Sequence, residues 1–282
     1  MKIHALQTGT VRVKASQAVG RGRGSMRQVN ILLDRIWTEW LPIYAWAIET
    51  NEGVILVDTG ETARTSEPGH FPRWHPYFRL AVRFDVTPEQ EVGPQLLKLG
   101  IRPDDVRTVI LTHLHTDHAG GLHHFPRSEI LVSDEELRLA TGLAGRLRGY
   151  LPDRLPDWFA PRSINFVPEP FGPFDRSQRV TSDGKVVIVP TPGHTPGHVS
   201  VIVVAGDASY FFAGDTTYTQ QALVEGKVDG VSPNEAVSLR TMQTIMRLAQ
   251  QQPTVYLPTH DPKSGMRLAI GATVRVNEHV RV

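Results

Sequence analysis

A chain of 282 residues, 40% apolar and 21% charged, carries enough core-forming material for one large domain or two small ones, and too much to be disordered. Thirty basic and 29 acidic residues leave a net charge of +1, so the overall field offers no reason to expect nucleic acid as a partner. Cysteine is absent, which excludes disulfides, thiolate metal sites and thiol nucleophiles; a bound metal would have nitrogen and oxygen ligands only.

The first residues, Met1-Lys2-Ile3-His4, run into an alternating pattern without an apolar signal segment, and no apolar run reaches the ~18 residues of a membrane span. The expected location is the cytoplasm, with no membrane partner. Arg21, Arg23 and Arg27 lie among glycines and read as a solvated loop. Residues 42–48 and 54–58 are two β-like runs around Asn51-Glu52-Gly53, a hairpin turn. Thr87-Pro88-Glu89-Gln90 predicts a helix start, with a threonine cap and proline at the first helical position, and Gly100 should end that helix. Residues 106–111 are largely aliphatic and suit a buried strand. Ser133-Asp134-Glu135-Glu136 is a second capping box. Residues 186–189, 199–204 and 209–213 read as strands, the last two joined through Gly206-Asp207. Ser232-Pro233-Asn234-Glu235 opens a helix whose Val237, Met242, Ile245, Met246 and Ala249 are spaced for one core-facing stripe. Residues 254–257 form a last strand. Strands and helices alternate without a linker, which favours one α/β domain over 1–282. Residues 12–42, 64–86 and 146–162 lack clear periodicity and read as insertions, which in compact domains often serve as lids or oligomer contacts.

His113-Leu114-His115-Thr116-Asp117-His118 places four nitrogen and oxygen ligands within six residues, directly after a predicted strand. Open α/β sheets carry their chemistry beyond the carboxyl ends of strands. In extended chain His113 and His115 point to the same side, and a turn after them can swing Asp117 and His118 toward a second ion. Gly120-Gly121 suits a tight turn with close backbone approach. His194, in Thr191-Pro192-Gly193-His194-Thr195-Pro196-Gly197-His198, Asp215 and His260 each follow a predicted strand, so all can converge on one sheet edge. The set suits zinc at roughly 2.0–2.2 Å, with iron, cobalt or manganese as alternatives.

Asp58-Thr59-Gly60, the His-x-His-x-Asp-His run, His194, Asp215 and His260 together resemble the metallo-β-lactamase superfamily, over most of the chain from Asp58 to His260. The resemblance implies a four-layer αββα sandwich with a dinuclear metal site at one edge. It implies that His113, His115 and His194 hold one ion, that Asp117, His118 and His260 hold the other, and that Asp215 bridges them. Asp58 would support the site without binding metal. His123, His124 and His198 match no ligand position and read as structural or surface residues. Two ions ~3.5–4 Å apart would share a hydroxide formed near neutral pH, and that hydroxide would be the nucleophile.

Tyr218, three residues beyond Asp215, narrows the likeness to the N-acyl homoserine lactonases. There the matching tyrosine hydroxyl assists at the substrate carbonyl, and the matching aspartate, Asp117 here, handles the leaving-group proton. Ring opening of a neutral lactone needs hydroxide attack, oxyanion stabilisation and protonation of the alkoxide. Met26, Trp37, Trp40, Phe84 and Leu122 are candidates for an apolar groove around the acyl chain. The insertions resemble those through which lactonases of this type pair, so a homodimer is expected. A phosphotriesterase is compatible with the same ligands. A glyoxalase II-like thioesterase is disfavoured because little chain follows His260 to form its usual extra helical region. Asp215 argues against a β-lactamase, and His115 against a flavodiiron redox protein. The full ligand set opposes a non-catalytic member, and the neutral charge opposes one that processes nucleic acid.

Overall fold

The structure is a computed structural model that describes residues 1–275. Seven strands form one mixed sheet: β1 (Lys2–Val13), β2 (Leu41–Thr50), β3 (Gly53–Val57), β4 (Val82–Asp85), β5 (Val106–Ile110), β6 (Glu129–Val132) and β7 (Arg162–Ser163). Their spatial order is β4-β1-β2-β3-β5-β6-β7. Five more, β8 (Gln178–Arg179), β9 (Val186–Pro190), β10 (Val199–Ala205), β11 (Ala208–Gly214) and β12 (Thr254–Pro258), form the second sheet in the order β12-β11-β10-β9-β8.

Three apolar clusters define the layers. Between the sheets, Trp46, Ile48, Val57 and Ile110 of the first pack against Ile188, Val201, Phe212 and Leu257 of the second. The outer face of the first sheet buries Leu56, Val109 and Leu111 under Leu96, Leu122 and Ala140. The outer face of the second buries Val187, Phe211 and Tyr256 under Met242, Ile245 and Leu248 of the helix Glu235–Gln251. The architecture is the expected four-layer αββα sandwich. Central strands covered on both faces read as continuous aliphatic runs rather than alternating ones, which is why 186–189 and 106–111 were legible.

Local differences from expectation have identifiable causes. The Thr87 capping box forms, but it starts a short 3-10 turn; Glu91 is extended (ψ 153°), so the helix proper begins at Val92. Asn234, not Ser232, caps the helix Glu235–Gln251 through its side chain. Within that helix Leu248 is fully buried, whereas Val237, Met246 and Ala249 lie at the edge of the stripe. Ser133 caps the helix Asp134–Thr141, yet Glu136 turns away from the box and into the site. Segments 12–42 and 64–86 are more regular than their sequences read. They contain the end of β1, a helix at Met26–Leu33, a helix at Pro76–Leu80, and β4 paired with β1.

Arg27 is not solvated. It is 2% exposed, donating to the carbonyl oxygens of Val228 (2.9 Å) and Asp229 (2.5 Å) and pairing with Glu235 at 3.1 Å. Among the described residues, no helix is long and apolar enough to cross a membrane.

Candidate metal centre

Every strand that delivers a candidate ligand points its carboxyl end to one edge of the sandwich. β3 and β5 run parallel, as do β11 and β12, and β9 is antiparallel to the strand that is itself antiparallel to β11. β3 ends just before Asp58, β5 leads into His113–His118, β9 leads to His194, β11 ends before Asp215 and β12 before His260. The turn after β5 continues into the short helix Thr116–Ala119, which reverses the chain so that Asp117 and His118 face the centre. Gly120 and Gly121 are required there by space. A Cβ on Gly120 would lie 2.4 Å from Glu61 Oε1, and one on Gly121 would lie 2.3 Å from Thr59 O.

The structure brings all seven candidate ligands together. His113 Nε2 and His194 Nε2 lie 3.0 and 3.1 Å from His115 Nδ1. His260 Nε2 is 3.4 Å from Asp117 Oδ2, and His118 Nε2 is 4.0 Å from Asp117 Oδ1. Asp215 stands between the two groups, with Oδ2 3.5 Å from His194 and 3.4 Å from His260, and Oδ1 3.3 Å from His118. His113, His118, His194, Asp215 and His260 are all at most 3% exposed.

These contacts are not a satisfied hydrogen-bond network. His118 Nε2 and Asp215 Oδ1 are buried without a hydrogen-bond partner despite their proximity, because the alignment is wrong. His115 Nδ1 carries at most one proton, so it cannot bond both of its imidazole neighbours. Buried polar groups are nearly always paired, and nitrogen lone pairs aimed at a common centre suit a cation. Protonation points the same way. Burial and the neighbouring imidazoles push His113 well below its ordinary range and His115 down to about 3, leaving neutral rings as ligation requires. His260 is the converse: burial opposes its charge, but Asp215 and Asp117 outweigh it and raise the group to about 10. A cation at the centre would take the place of that proton. The donor set therefore fits two divalent ions.

Supporting groups hold the ligands. Asp58 occupies the left-handed region (φ 58°), a conformation costing about 1–2 kcal/mol in an L-residue. Its carboxylate accepts from Thr112 N (2.8 Å) and Thr112 Oγ1 (2.9 Å), and Oδ2 lies 2.8 Å from His118 Nδ1, which turns Nε2 toward the centre. His198, read from sequence as structural or surface, is buried; its Nε2 accepts from Asp215 N at 3.1 Å.

Three further residues gave no functional signal in the sequence because their partners are remote. Glu136 accepts from Leu114 N (3.0 Å), Tyr150 Oη (2.6 Å) and Thr195 Oγ1 (2.7 Å), bracing the loops that carry His115 and His194. Asp229, 1% exposed, puts Oδ2 3.4 Å from His194 Nδ1. Gln17 donates from Nε2 to both Tyr77 Oη and Tyr218 Oη at 2.9 Å, which leaves both phenolic protons free to point elsewhere.

A cavity of ≈ 190 Å³ opens onto His115, Asp117, His194 and Asp215. Its apolar wall includes Val11, Val13, Ile31, Phe78 and Phe84, and Gln17, Tyr77 and Tyr218 supply its polar corner. Burial, followed by the charge of Asp215, raises the Tyr218 hydroxyl well above its ordinary range, so it remains a donor. Of the proposed groove residues, Phe84 lines this cavity. Met26 and Trp40 are exposed at 54% and 44%, Trp37 lies under Lys14 Nζ (3.8 Å to the ring centre), and Leu122 is core. The helix Met26–Leu33 turns Arg27 and Ile31 inward, and this rotation carries Met26 outward.

Residues 38–260 match the metallo-beta-lactamase superfamily. A probable metallo-hydrolase of Mycobacterium tuberculosis is 35% identical over 181 residues, 62% of this chain and 57% of that protein, so the chain spans little more than half of that relative's length. The N-acyl homoserine lactonase AttM of Agrobacterium fabrum is 24% identical over 276 residues, 93% of this chain and 94% of the relative. Among solved structures, an N-acyl homoserine lactone hydrolase with N-hexanoyl-L-homoserine bound at its catalytic metal centre superposes with a TM-score of 0.74 at 22% identity, covering 97% of this chain and 96% of that one. With the matched segment spanning both sheets and all of the converging histidines, the chain belongs to the metallo-beta-lactamase superfamily.

Proposed function

We propose that this protein hydrolyses N-acyl homoserine lactones, opening the ring at a site that holds two divalent cations. The observation that carries this reading is the pairing of an apolar cavity with the Tyr218 hydroxyl at the edge of the ligand cluster. His113, His115 and His194 would hold one ion and Asp117, His118 and His260 the other, with Asp215 shared. Zinc is the first expectation, and iron, cobalt or manganese suit the same atoms. Bound ions of this kind supply Lewis acidity and a water-derived nucleophile near neutral pH.

The chain's own groups account for the remaining steps. Tyr218 Oη accepts from Gln17 and keeps its proton, so it can donate to a carbonyl oxygen as negative charge develops there. Asp117, 15% exposed in its side chain, is the most accessible carboxylate of the cluster and lines the cavity. Burial alone would raise its pKa, but its hydrogen bond to His260 and the charge of His118 hold it below the ordinary range. Ionised, it is placed to take the proton that the attacking water gives up and to pass it to the leaving alkoxide. Phe84, Phe78, Val11 and Val13 offer apolar contact to an acyl chain.

Tyr218→Phe tests the assignment. It should lower kcat for a homoserine lactone by roughly 10²-fold, the scale of one lost oxyanion donor, with metal content unchanged. Loss of metal instead would mean that the tyrosine serves the ligands rather than the substrate. The chain is also proposed to pair with itself. The helix Met26–Leu33 exposes Met26, Val29 and Leu33 at helical spacing, and Ile36 and Trp40 follow it at the surface.

A further inference from the structure

A second group of metal-type side chains lies outside the main cluster. Glu91, immediately before the helix Val92–Lys98, meets His123 and His124 of the 3-10 segment Gly120–His124, and one atom of each lies within 4.8 Å of the others. Glu91 Oε1 is already committed, accepting from Thr62 Oγ1 (3.0 Å) and Ala63 N (2.7 Å). Both imidazoles then aim at the other oxygen, with His123 Nε2 at 3.1 Å and His124 Nε2 at 2.7 Å from Oε2.

The tautomer of His123 limits what can hold this contact together. Its Nδ1 lies 3.2 Å from the carbonyl oxygen of Gly120, which can only accept, so the proton sits on Nδ1. In a neutral ring Nε2 then presents a lone pair to a carboxylate oxygen. That arrangement requires either a second proton on the ring, which gives an ordinary ion pair with Glu91, or a cation that both atoms ligate. Donation from the far ring nitrogen to a backbone carbonyl is also how metal-bound histidines are oriented.

The cradle is shaped to fit. A Cβ on Gly93 would lie 2.5 Å from His124 Nδ1 and 2.8 Å from Cγ, so only glycine at that position admits the ring. The backbone there does not need left-handed freedom; the requirement is space.

We infer that Glu91, His123 and His124 form a separate binding site for one zinc-class divalent ion, which staples the loop at Thr62 and Ala63 to the segment that follows His118. Two imidazoles and one carboxylate suit zinc, cobalt or nickel over magnesium or calcium, which prefer all-oxygen shells. His123 is 45% exposed in its side chain, so water can complete the coordination. The staple joins elements that also flank the main centre: Thr59 N donates to His118 O at 2.8 Å. None of the three residues belongs to the main ligand set, and the inference does not depend on the substrate.

The test compares metal-replete wild-type protein with His123→Ala and His124→Gln after equilibrium dialysis against zinc, counting ions by mass spectrometry. Wild type should hold one equivalent more than either variant, and its thermal midpoint should rise with added zinc more than theirs. Equal metal counts in all three proteins would overturn the site. A second readout is the ¹⁵N shift of His123 in zinc-loaded protein at pH 8. A metal-bound, unprotonated Nε2 is expected, and a doubly protonated imidazolium would show that a proton, not an ion, bridges it to Glu91.

Discussion

Asp229→Asn is the perturbation that most cleanly separates support of a ligand from ligation itself. In the wild type, Asp229 Oδ1 accepts from Val231 N (2.7 Å) and Ser232 N (2.8 Å), and Oδ2 accepts from Ser232 Oγ (2.8 Å). Oδ2 also lies 3.4 Å from His194 Nδ1, close enough to favour the proton on that nitrogen and so free Nε2 for a metal. Asparagine can keep both backbone bonds through its oxygen, so the loop should survive. Its amide nitrogen then replaces Oδ2 and presents a donor to His194 Nδ1. The imidazole must face donor to donor or move its proton to Nε2, the atom that lies 3.1 Å from His115 Nδ1 and is needed for ligation. Loss of such a partner typically costs 10–100-fold in metal affinity, or about 1.4–2.8 kcal/mol. Competition against chelators of graded affinity, fitted for two ions, reads this directly. One ion should weaken by roughly that factor and the other should stay near its wild-type affinity. Two ions bound as tightly as in wild type would refute the supporting role of Asp229. Equal weakening of both, with a lower melting temperature of the metal-free protein, would show that the residue holds the loop rather than the histidine.

Three other outcomes follow from particular residues. Glu61 is fully buried, and burial, only partly offset by Thr62 N, raises its carboxyl to about 8. With the folded value above the unfolded one, Glu61's own contribution to the stability of the metal-free protein is fully present below the unfolded pKa and is lost as pH rises through about 8. Glu61→Gln should remove that loss, raising the melting temperature relative to wild type at pH 9 but not at pH 4; a parallel offset at both pH values would contradict the assignment. Phe84→Ala should raise KM for a decanoyl lactone by about tenfold while changing a butanoyl lactone by about twofold or less, if the proposed acyl chain runs along the cavity wall that Phe84 lines; equal effects would place the acyl chain elsewhere. Leu33→Glu, at a position 72% exposed, should convert a dimer to monomer in analytical ultracentrifugation with the melting curve little changed, and an unaltered mass would remove this helix from the interface.

The parts legible in the sequence were those encoded over short spans. Aliphatic runs at 106–111 and 186–189 announced strands covered on both faces, and His113 to His118 grouped four donors within one turn. His194, Asp215 and His260 were recognisable because each follows such a run. Residues paired across long separations were not legible. Gln17 meets Tyr218 201 positions away, and Arg27 meets the carbonyl of Asp229 across 202. Arg27 reads as solvated because nothing nearby in sequence can satisfy its guanidinium; two carbonyls and Glu235, all remote along the chain, do so in the fold. Glu136 looked like half of a capping box because its spacing to Ser133 is that of one, whereas its carboxylate bridges Leu114, Tyr150 and Thr195. Met26 and Trp40 are apolar residues within the 12–42 insertion, and only the rotation of the helix Met26–Leu33 decides which of its side chains face inward.

One measurement tests the proposed substrate class most directly. Metal-replete protein is given N-hexanoyl homoserine lactone, a matched S-hexanoyl thioester and an aryl phosphotriester, with acid release followed by pH-stat. The lactone should give the highest kcat/KM, by at least about 10²-fold, if Tyr218 and Asp117 act on a lactone carbonyl and its alkoxide as proposed. A thioester or phosphotriester turned over as fast as the lactone would contradict the account, leaving a metal-dependent hydrolase whose cavity serves another ester.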